Sequence, residues 1–419
     1  MEHHVTPPRS RVVRVSEPAG ELTMRIVAQL KETVDTQTIR GLISGDQLAV
    51  SADGLHSAHI ISFRRGAEIV MHSGLGVMSP RFQRTSPHEG TRILSLDERS
   101  VLVWGKVDGH PTGLWRLGRD GGQFLARMDK LVRRHGSSRA LVRGVNQGEH
   151  LCLTPWGGLW PVHERALVTP HRDGLAVIEE IDGVQYAYEL RADGGITPFQ
   201  TLTLQDAERP VGIVHWQGRL MLAVARGTQS WLLELNPKQR GEVPERIQID
   251  GDLYGVWASP RNKTLAMLVH YRDEPEGIRH LQLSDGRMAH EGVFTMDASS
   301  IVWSPDETHV AVKIRESDGL GYPLDNRLVG TRVDCRLELG SAIREFLIDD
   351  RGRLAAFIQH DGVYDQPIIG GREGTKVPLA WNLHYTKAGA ISWTTVHDDR
   401  ILTWTQDRPT LGVVGHAMR

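Results

Sequence analysis

The feature that most constrains this chain is a spacing. Polar turns are followed by apolar strand starts in RDG-LAVIEE, QGR-LMLAVA, NKT-LAMLVH, ETH-VAVKIR and RGR-LAAFIQ. The first apolar residues are Leu175, Leu220, Leu265, Val310 and Leu354, separated by 45, 45, 45 and 44 positions. A weaker unit fits at Ile401, and earlier ones fit at Leu48 and Val101. In most units another apolar strand ends about seven residues before the anchor, and a third follows about fifteen residues after it, closed by a glycine turn. The repeated unit therefore reads strand, turn, strand, loop, strand, glycine turn, strand.

A four-stranded unit of this length cannot bury both faces of its sheet alone. Packing it between neighbours does so, which is the physical logic of an all-β propeller. Tight hairpins account for many of the 44 glycines. Trp257, Trp303 and Trp393 are expected to close first strands and wedge between blades. The unit count predicts eight four-stranded blades, with seven as the alternative, because residues 137–200 are long for one blade and short for two. Residues 1–20 read as an N-terminal arm and 21–419 as a single propeller domain. The last unit ends one strand short. Leu22, Met24, Ile26, Ala28 and Leu30 alternate with one violation at Val27, so this segment is expected to complete that blade and close the ring, although the same residues also fit a helix.

One segment departs from the strand pattern. In residues 123–136, Phe124, Leu125, Met128, Leu131 and Val132 fall on one helical face, with Arg127, Lys130, Arg133 and Arg134 elsewhere. This predicts one short inserted amphipathic helix, whose basic residues are candidates for docking an acidic partner.

The stretches VWASPRNKTLAMLVHY and VWSPDETHVAVKIR resemble the WSPDG-type repeats of TolB-type and prolyl-oligopeptidase-type propellers. Trp303, Ser304, Pro305 and Asp306 match cleanly, Trp257-Ala258-Ser259-Pro260 carries an insertion, and Ile348-Asp349-Asp350 lacks the proline. The resemblance spans roughly residues 165–360. It implies a fold and not a reaction, because propellers host unrelated functions.

Chemical motifs are sparse. The sequence has no Gly-x-Ser-x-Gly elbow, Walker loop, dinucleotide fingerprint, His-Glu-x-x-His or paired Cys-x-x-Cys. With only Cys152 and Cys335, neither a disulfide framework nor a four-cysteine zinc site can form. The 49 basic and 51 acidic residues leave a formal net charge of −2, which argues against nucleic acid or an anionic membrane as chain-wide partners. The polar N-terminus and the lack of a long apolar run lead to an expected cytoplasmic location. Acidic turns at Asp306-Glu307 and Asp349-Asp350-Arg351 lack the ligand periodicity of a calcium loop and read as turn chemistry.

Twenty histidines are the compositional oddity. His3 with His4, and His56 with His59, are weak metal candidates, and no resident cofactor is identified. The more informative residues follow the second strands of successive units: Glu180, Arg226, His270 with Arg272, Arg315, and His360. A propeller gathers such loops on one face, where cations could hold a carboxylate or phosphate and His270 or His360 could serve as acid or base. The expected function is a binding or scaffold module that recognises a protein or peptide on that face. The alternative is an enzyme at the channel mouth acting on a small anionic substrate, with a divalent metal of the kind the oligogalacturonate-lyase type of propeller uses. The ligand pattern of that type matches no residues here.

Overall fold

The computed structural model describes residues 12–17, 20–29, 48–50, 57–62, 67–72, 75–84, 90–96, 99–132, 143–153, 159–172, 174–181, 184–191, 193–199, 208–235, 246–296, 300–317, 323–336, 342–386, 388–397 and 400–407. Every strand or helix element named among them is a strand. No helix among the described residues is long and apolar enough to cross a membrane. The chain divides into two compact units.

The unit formed by 131–337 and 348–353 is a succession of antiparallel meanders. Leu167–His171, Gly174–Ile181, Val184–Leu190 and Ile196–Pro198 form one, and Arg209–Trp216, Arg219–Arg226, Gln229–Glu234 and Arg246–Asp250 the next. Asp252–Ala258, Leu265–His270, Ile278–Leu283 and Met288–Met296 follow, and their last strand runs on to pair with Val310–Ser317 of the meander after it. The other unit holds meanders of the same kind, among them Arg92–Leu96, Ser100–Gly105, Gly113–Gly118 and Gly121–Arg127. Successive four-stranded antiparallel sheets of this order are the blades of a β-propeller fold.

The apolar runs of the second strands have a direct explanation. Along Arg219–Arg226, Leu220, Leu222 and Val224 pack with Ala176 and Ile178 of the preceding sheet. The alternate residues Met221, Ala223 and Ala225 pack with Leu253, Val256, Leu265 and Met267 of the following one. Side chains of a strand alternate between faces, and here both faces are core, so LMLAVA carries no polar residue.

The period of 45 is also written into the backbone. Arg172, Gln217, Asn262, Glu307 and Gly352 each occupy the turn between a first and a second strand, and each has a positive φ, from 49° to 73°. Only the last is glycine. There a Cβ would come within 2.8 Å of the His309 ring.

A side-chain acceptor three residues before the left-handed residue holds each of the hairpins whose turns contain Asn262, Glu307 and Gly352. Ser259 Oγ accepts the backbone N–H of Lys263 and Thr264, and Ser304 Oγ accepts that of His309. Asp349 Oδ1 accepts those of Arg351 and Arg353. These acceptors lie 45 apart, so Asp349 does in its turn what the serine before proline does in the other two. Each turn also grips the next. His215 Nε2 donates to Pro170 O, Gln217 N to Asn262 O, Ser259 Oγ to Glu307 Oε2 and Asp306 N to Asp350 Oδ1. The acidic turns at 306–307 and 349–351 are turn and sheet-to-sheet chemistry, as their spacing implied.

Three sequence expectations are corrected. The inserted helix does not form over the described part of 123–136. Gly121–Arg127 is a strand paired with Gly113–Gly118, and Lys130–Val132 opens a new sheet with Arg143–Asn146, Glu149–Leu153 and Leu159–Pro161. A register shift between Phe124 and Ala126 inserts Leu125 as a bulge. The bulge breaks the period of two and places adjacent apolar residues where a helix would also have them. Met128 is fully buried, and its carbonyl accepts the indole N–H of Trp104. Second, Trp393 lies in a second strand, Ile391–His397, stacked across the ladder on Trp404 with centroids 6.4 Å apart. Third, Ile401 lies in a third strand and Leu48 begins a first strand, so neither marks the anchor position.

At the N-terminus, Gly20–Gln29 is a strand paired with Arg400–Gln406, and Val12–Glu17 pairs with it in turn. The ladder shifts register between Ile26 and Ala28. Val27, the residue that broke the alternation, is thus a bulge.

Two expected outcomes follow. Glu307 is buried and accepts both the Ser259 hydroxyl and the Arg261 amide, so Glu307→Ala should cost about 2 kcal/mol in denaturant unfolding by orphaning the buried Ser259 hydroxyl and losing the Arg261 bond. Glu307→Gly loses the same bonds but relieves the left-handed backbone. It should retain about 1 kcal/mol relative to Ala, and equal losses for the two variants would contradict the turn assignment.

The second concerns His171, which is buried against His215, the rings stacked 5.1 Å apart, and neither of its nitrogens has a hydrogen-bond partner. Burial first, then the charges of His215 and Arg172, push its pKa down to about 4. Between pH 6.5 and 4 the unfolded chain therefore takes a proton that the folded chain refuses, so this contribution to stability is lost as pH falls through that window and levels off below it. Stability measured against pH should lose part of that slope in His171→Phe; an unchanged slope would rule out His171 as its source.

Candidate functional site

The first strands of two neighbouring sheets, Arg209–Trp216 and Asp252–Ala258, carry the same irregularity. Each shifts register near its start, between Pro210 and Gly212 in one and between Leu253 and Gly255 in the other. The extra residues are Val211 and Tyr254. A bulge re-aims its side chain, and Tyr254 comes out 43% exposed while its neighbours Leu253 and Val256 are core. Gly255 follows because a Cβ there would lie 2.2 Å from the Trp257 ring.

Two guanidinium groups converge on Tyr254. Arg279 Cζ sits 4.0 Å from the ring centroid and Arg209 Cζ sits 5.4 Å from it. Such contacts are worth about 0.5–2 kcal/mol each, depending on desolvation. Arg209 is further held by Asp252 Oδ1 and Leu253 O, both at 2.9 Å, which ties one sheet to the next. Arg279 donates only to the carbonyl of Ile278, at 3.0 Å, and makes no ion pair among the described residues. Burial, with a hydrogen bond to Asp252 next in size, pushes the Tyr254 phenol above its usual pKa. The ring is therefore a neutral platform under two cations, one of them without a carboxylate.

His270 belongs to the same sheet end. It is the ladder partner of Asp252, and its Nδ1 lies 2.9 Å from Ile278 O, the carbonyl that also takes the Arg279 bond. A carbonyl only accepts, so Nδ1 carries the hydrogen and Nε2 the lone pair in the neutral ring. Arg226 ends the second strand of the preceding sheet, one residue beyond the ladder partner of Arg209. Arg272 is exposed in the loop that follows His270. The structure thus brings Arg226, His270 and Arg272 to sheet ends joined by the Arg209–Asp252 pair.

The other expected positions have local roles. Glu180 is exposed at its strand end and accepts from Gln185 Nε2, and Arg315 is exposed on Val310–Ser317. His360 Nδ1 lies 2.7 Å from the fully buried Asp365, which also takes Arg344 Nε and the backbone N–H of Ala380. This His is committed to its sheet. Arg127 pairs with Asp129, and Lys130 is exposed on its strand. Arg133, Arg134, His3, His4, His56 and the side chain of His59 lie outside the described residues.

Reasoning from sequence looked after second strands and so missed Arg209, Asp252, Tyr254 and Arg279, which stand on first and third strands. One signal was available: RPVGIV and DLYGVW align as bulge-glycine pairs, with a tyrosine where the other repeat has valine. Among the described residues, one group of histidine and carboxylates is close enough to hold a metal: Glu274, His280 and Glu291. It contains neither His270 nor His360.

No protein-family profile matches this chain, and no curated protein matches it. Among solved structures it is similar to the dipeptidyl peptidase 4 of Porphyromonas gingivalis, at 12% identity over 87% of this chain and 67% of that one, with a TM-score of 0.45. It is similar to an oligogalacturonate lyase in complex with manganese, at 12% identity over 87% of this chain and 98% of that one, with a TM-score of 0.38. It is also similar to the Cps50 (Swd1) β-propeller domain of Myceliophteria thermophila, at 11% identity over 95% and 99% of the two chains, with a TM-score of 0.28. Enzymes and a propeller domain stand side by side at these identities, so none of their activities transfers to this chain.

Proposed function

We propose that this chain is a cytoplasmic β-propeller binding module that recognises a protein or peptide through acidic groups, a carboxylate above all, at the Tyr254 face. The observation that carries this reading is Arg279. Its guanidinium rests on an exposed tyrosine ring, spends one N–H on a carbonyl and leaves the others for a ligand. A planar fork over an aromatic surface suits a carboxylate bound through two parallel hydrogen bonds, and the ring beside it gives a neighbouring apolar side chain something to pack on. Arg226 and Arg272 extend the same face and add reach for further acidic positions.

A second reading places an enzyme for a small anionic substrate on this face. It is favoured by His270, whose tautomer is fixed by Ile278 O with Nε2 as the basic atom, the state a general base needs.

The experiment is selection of a random peptide display library against the whole chain. Recovered sequences are expected to be rich in Asp and Glu or to end in a required free carboxylate. Affinity of a recovered peptide should fall about tenfold in Arg279→Ala, the worth of a charge-assisted bond, and weaken with added salt. Tyr254→Ala should weaken it as well. Peptides that bind wild type and Arg279→Ala equally would defeat the proposal. Turnover of a small anion abolished by His270→Ala would favour the enzyme instead.

A further inference from the structure

We propose that His280 and Glu291 form a site for a divalent transition-metal ion, zinc by its donor chemistry, with Glu274 as the residue that positions the imidazole. The two donors are directly opposite one another on adjacent strands, Ile278–Leu283 and Met288–Met296. The His280 side chain is 4% exposed, so its ring has a single environment. On one edge, Nε2 lies 2.5 Å from Glu274 Oε2. An ionised carboxylate only accepts, so Nε2 bears the hydrogen and Nδ1 of the neutral ring bears the lone pair.

That Nδ1 is buried and has no hydrogen-bond partner. It faces Glu291 Oε2 at 4.0 Å, beyond hydrogen-bond range. Two acceptors turned toward each other across such a gap suit a cation that both can ligate. Two donors on one tetrahedral zinc stand about 3.4 Å apart, given zinc–nitrogen and zinc–oxygen bonds near 2.0–2.1 Å. Glu291 is 60% exposed and free to close the difference, while water completes the coordination. One ligand atom from each of Glu274, His280 and Glu291 lies within 4.8 Å of the others, so the local charge balance also favours a dication. A carboxylate on the far nitrogen of a ligating histidine fixes the tautomer and raises its basicity. The Tyr271 ring, edge-on at 4.7 Å, blocks rotation of the imidazole. One imidazole nitrogen with carboxylate oxygen is a borderline donor set, which suits zinc better than magnesium or calcium.

The ion would tie the third strand to the fourth, while the Glu274–His280 bond holds the loop at 271–277, which carries Arg272, beside it. This site does not depend on what binds at Tyr254. Arg279 and His280 are consecutive on one strand and so project to opposite faces.

The rival occupant of the gap is a proton. A protonated His280 would pair with both glutamates and take no metal. Calorimetric titration of the whole, chelator-treated chain with zinc alone, at neutral pH, separates the two. Wild type is expected to bind one zinc that is lost in Glu291→Ala, with affinity lower by at least about tenfold. Glu291 is an exposed side chain, and circular dichroism confirms that the variant is folded. Zinc should raise the melting temperature of wild type and leave that of Glu291→Ala unmoved. Glu274→Gln keeps an acceptor without the charge. It should weaken zinc severalfold at unchanged stoichiometry, and nitrogen NMR should still show Nδ1 of His280 as the ligating atom. Failure of wild type to take up zinc, affinity within tenfold in Glu291→Ala, or ligation through Nε2 would each overturn the proposal.

Discussion

The structure depends on a turn conformation that most side chains resist. At Arg172, Gln217, Asn262, Glu307 and Gly352 the chain enters the left-handed region to reverse from a first strand into a second. Four of the five are not glycine, so the cost of that conformation is met by something outside the residue. Side-chain acceptors within the hairpin meet part of it in two of the four, at Ser259 and Ser304. Bonds handed on to the neighbouring turn meet the rest. The same residues that close one hairpin therefore fix the spacing to the next, and a sheet with two apolar faces is placed where both faces are covered. Local strain and long-range packing are satisfied by one set of bonds.

Much of this was legible in the chain. The period of 45 set the strand order of the central repeats. The alternation of residues 22–30, with Val27 out of step, contained a bulge in the right place. What failed, failed for a physical reason. A bulge at Leu125 shifts the alternation of Gly121–Arg127 by one, and shifted alternation is indistinguishable from helical spacing over so short a run. The ladder partner, LWRLG, decides between them, and a partner is not visible in local periodicity. Trp393 misled in another way. It follows a turn and shares its residue type with Trp257 and Trp303 of first strands, yet it stacks on Trp404 across the second-to-third ladder.

The candidate face was legible only in outline. Arg226, His270 and Arg272 could be named because they follow anchors whose spacing is known. Tyr254 could not, because a residue inside a strand is assigned to core by default, and only the bulge turns it outward. Arg279 on the third strand meets a ring on the first, a relation that no linear spacing encodes. The polar residues at 180, 315 and 360 were named by the same rule as those at 226 and 270. They differ in what stands on the neighbouring strand: Glu180 meets Gln185, and His360 meets a buried aspartate.

Arg209 and Arg279 differ in what they owe to the fold. Arg209 holds Asp252 and a backbone carbonyl of the next sheet, so its position is set by stability before any ligand arrives. Arg279 has no such obligation. A pair of this kind divides labour: one cation fixes the platform, and the other is available to a partner. Ile278 O, which takes bonds from both His270 and Arg279, couples the loop after the second strand to that platform. The loop returns to the sheet through Glu274, held on His280 on the opposite face. One short segment, 278–280, therefore carries the anchor for both faces: Ile278 O on the Tyr254 side and His280, through Glu274, on the other.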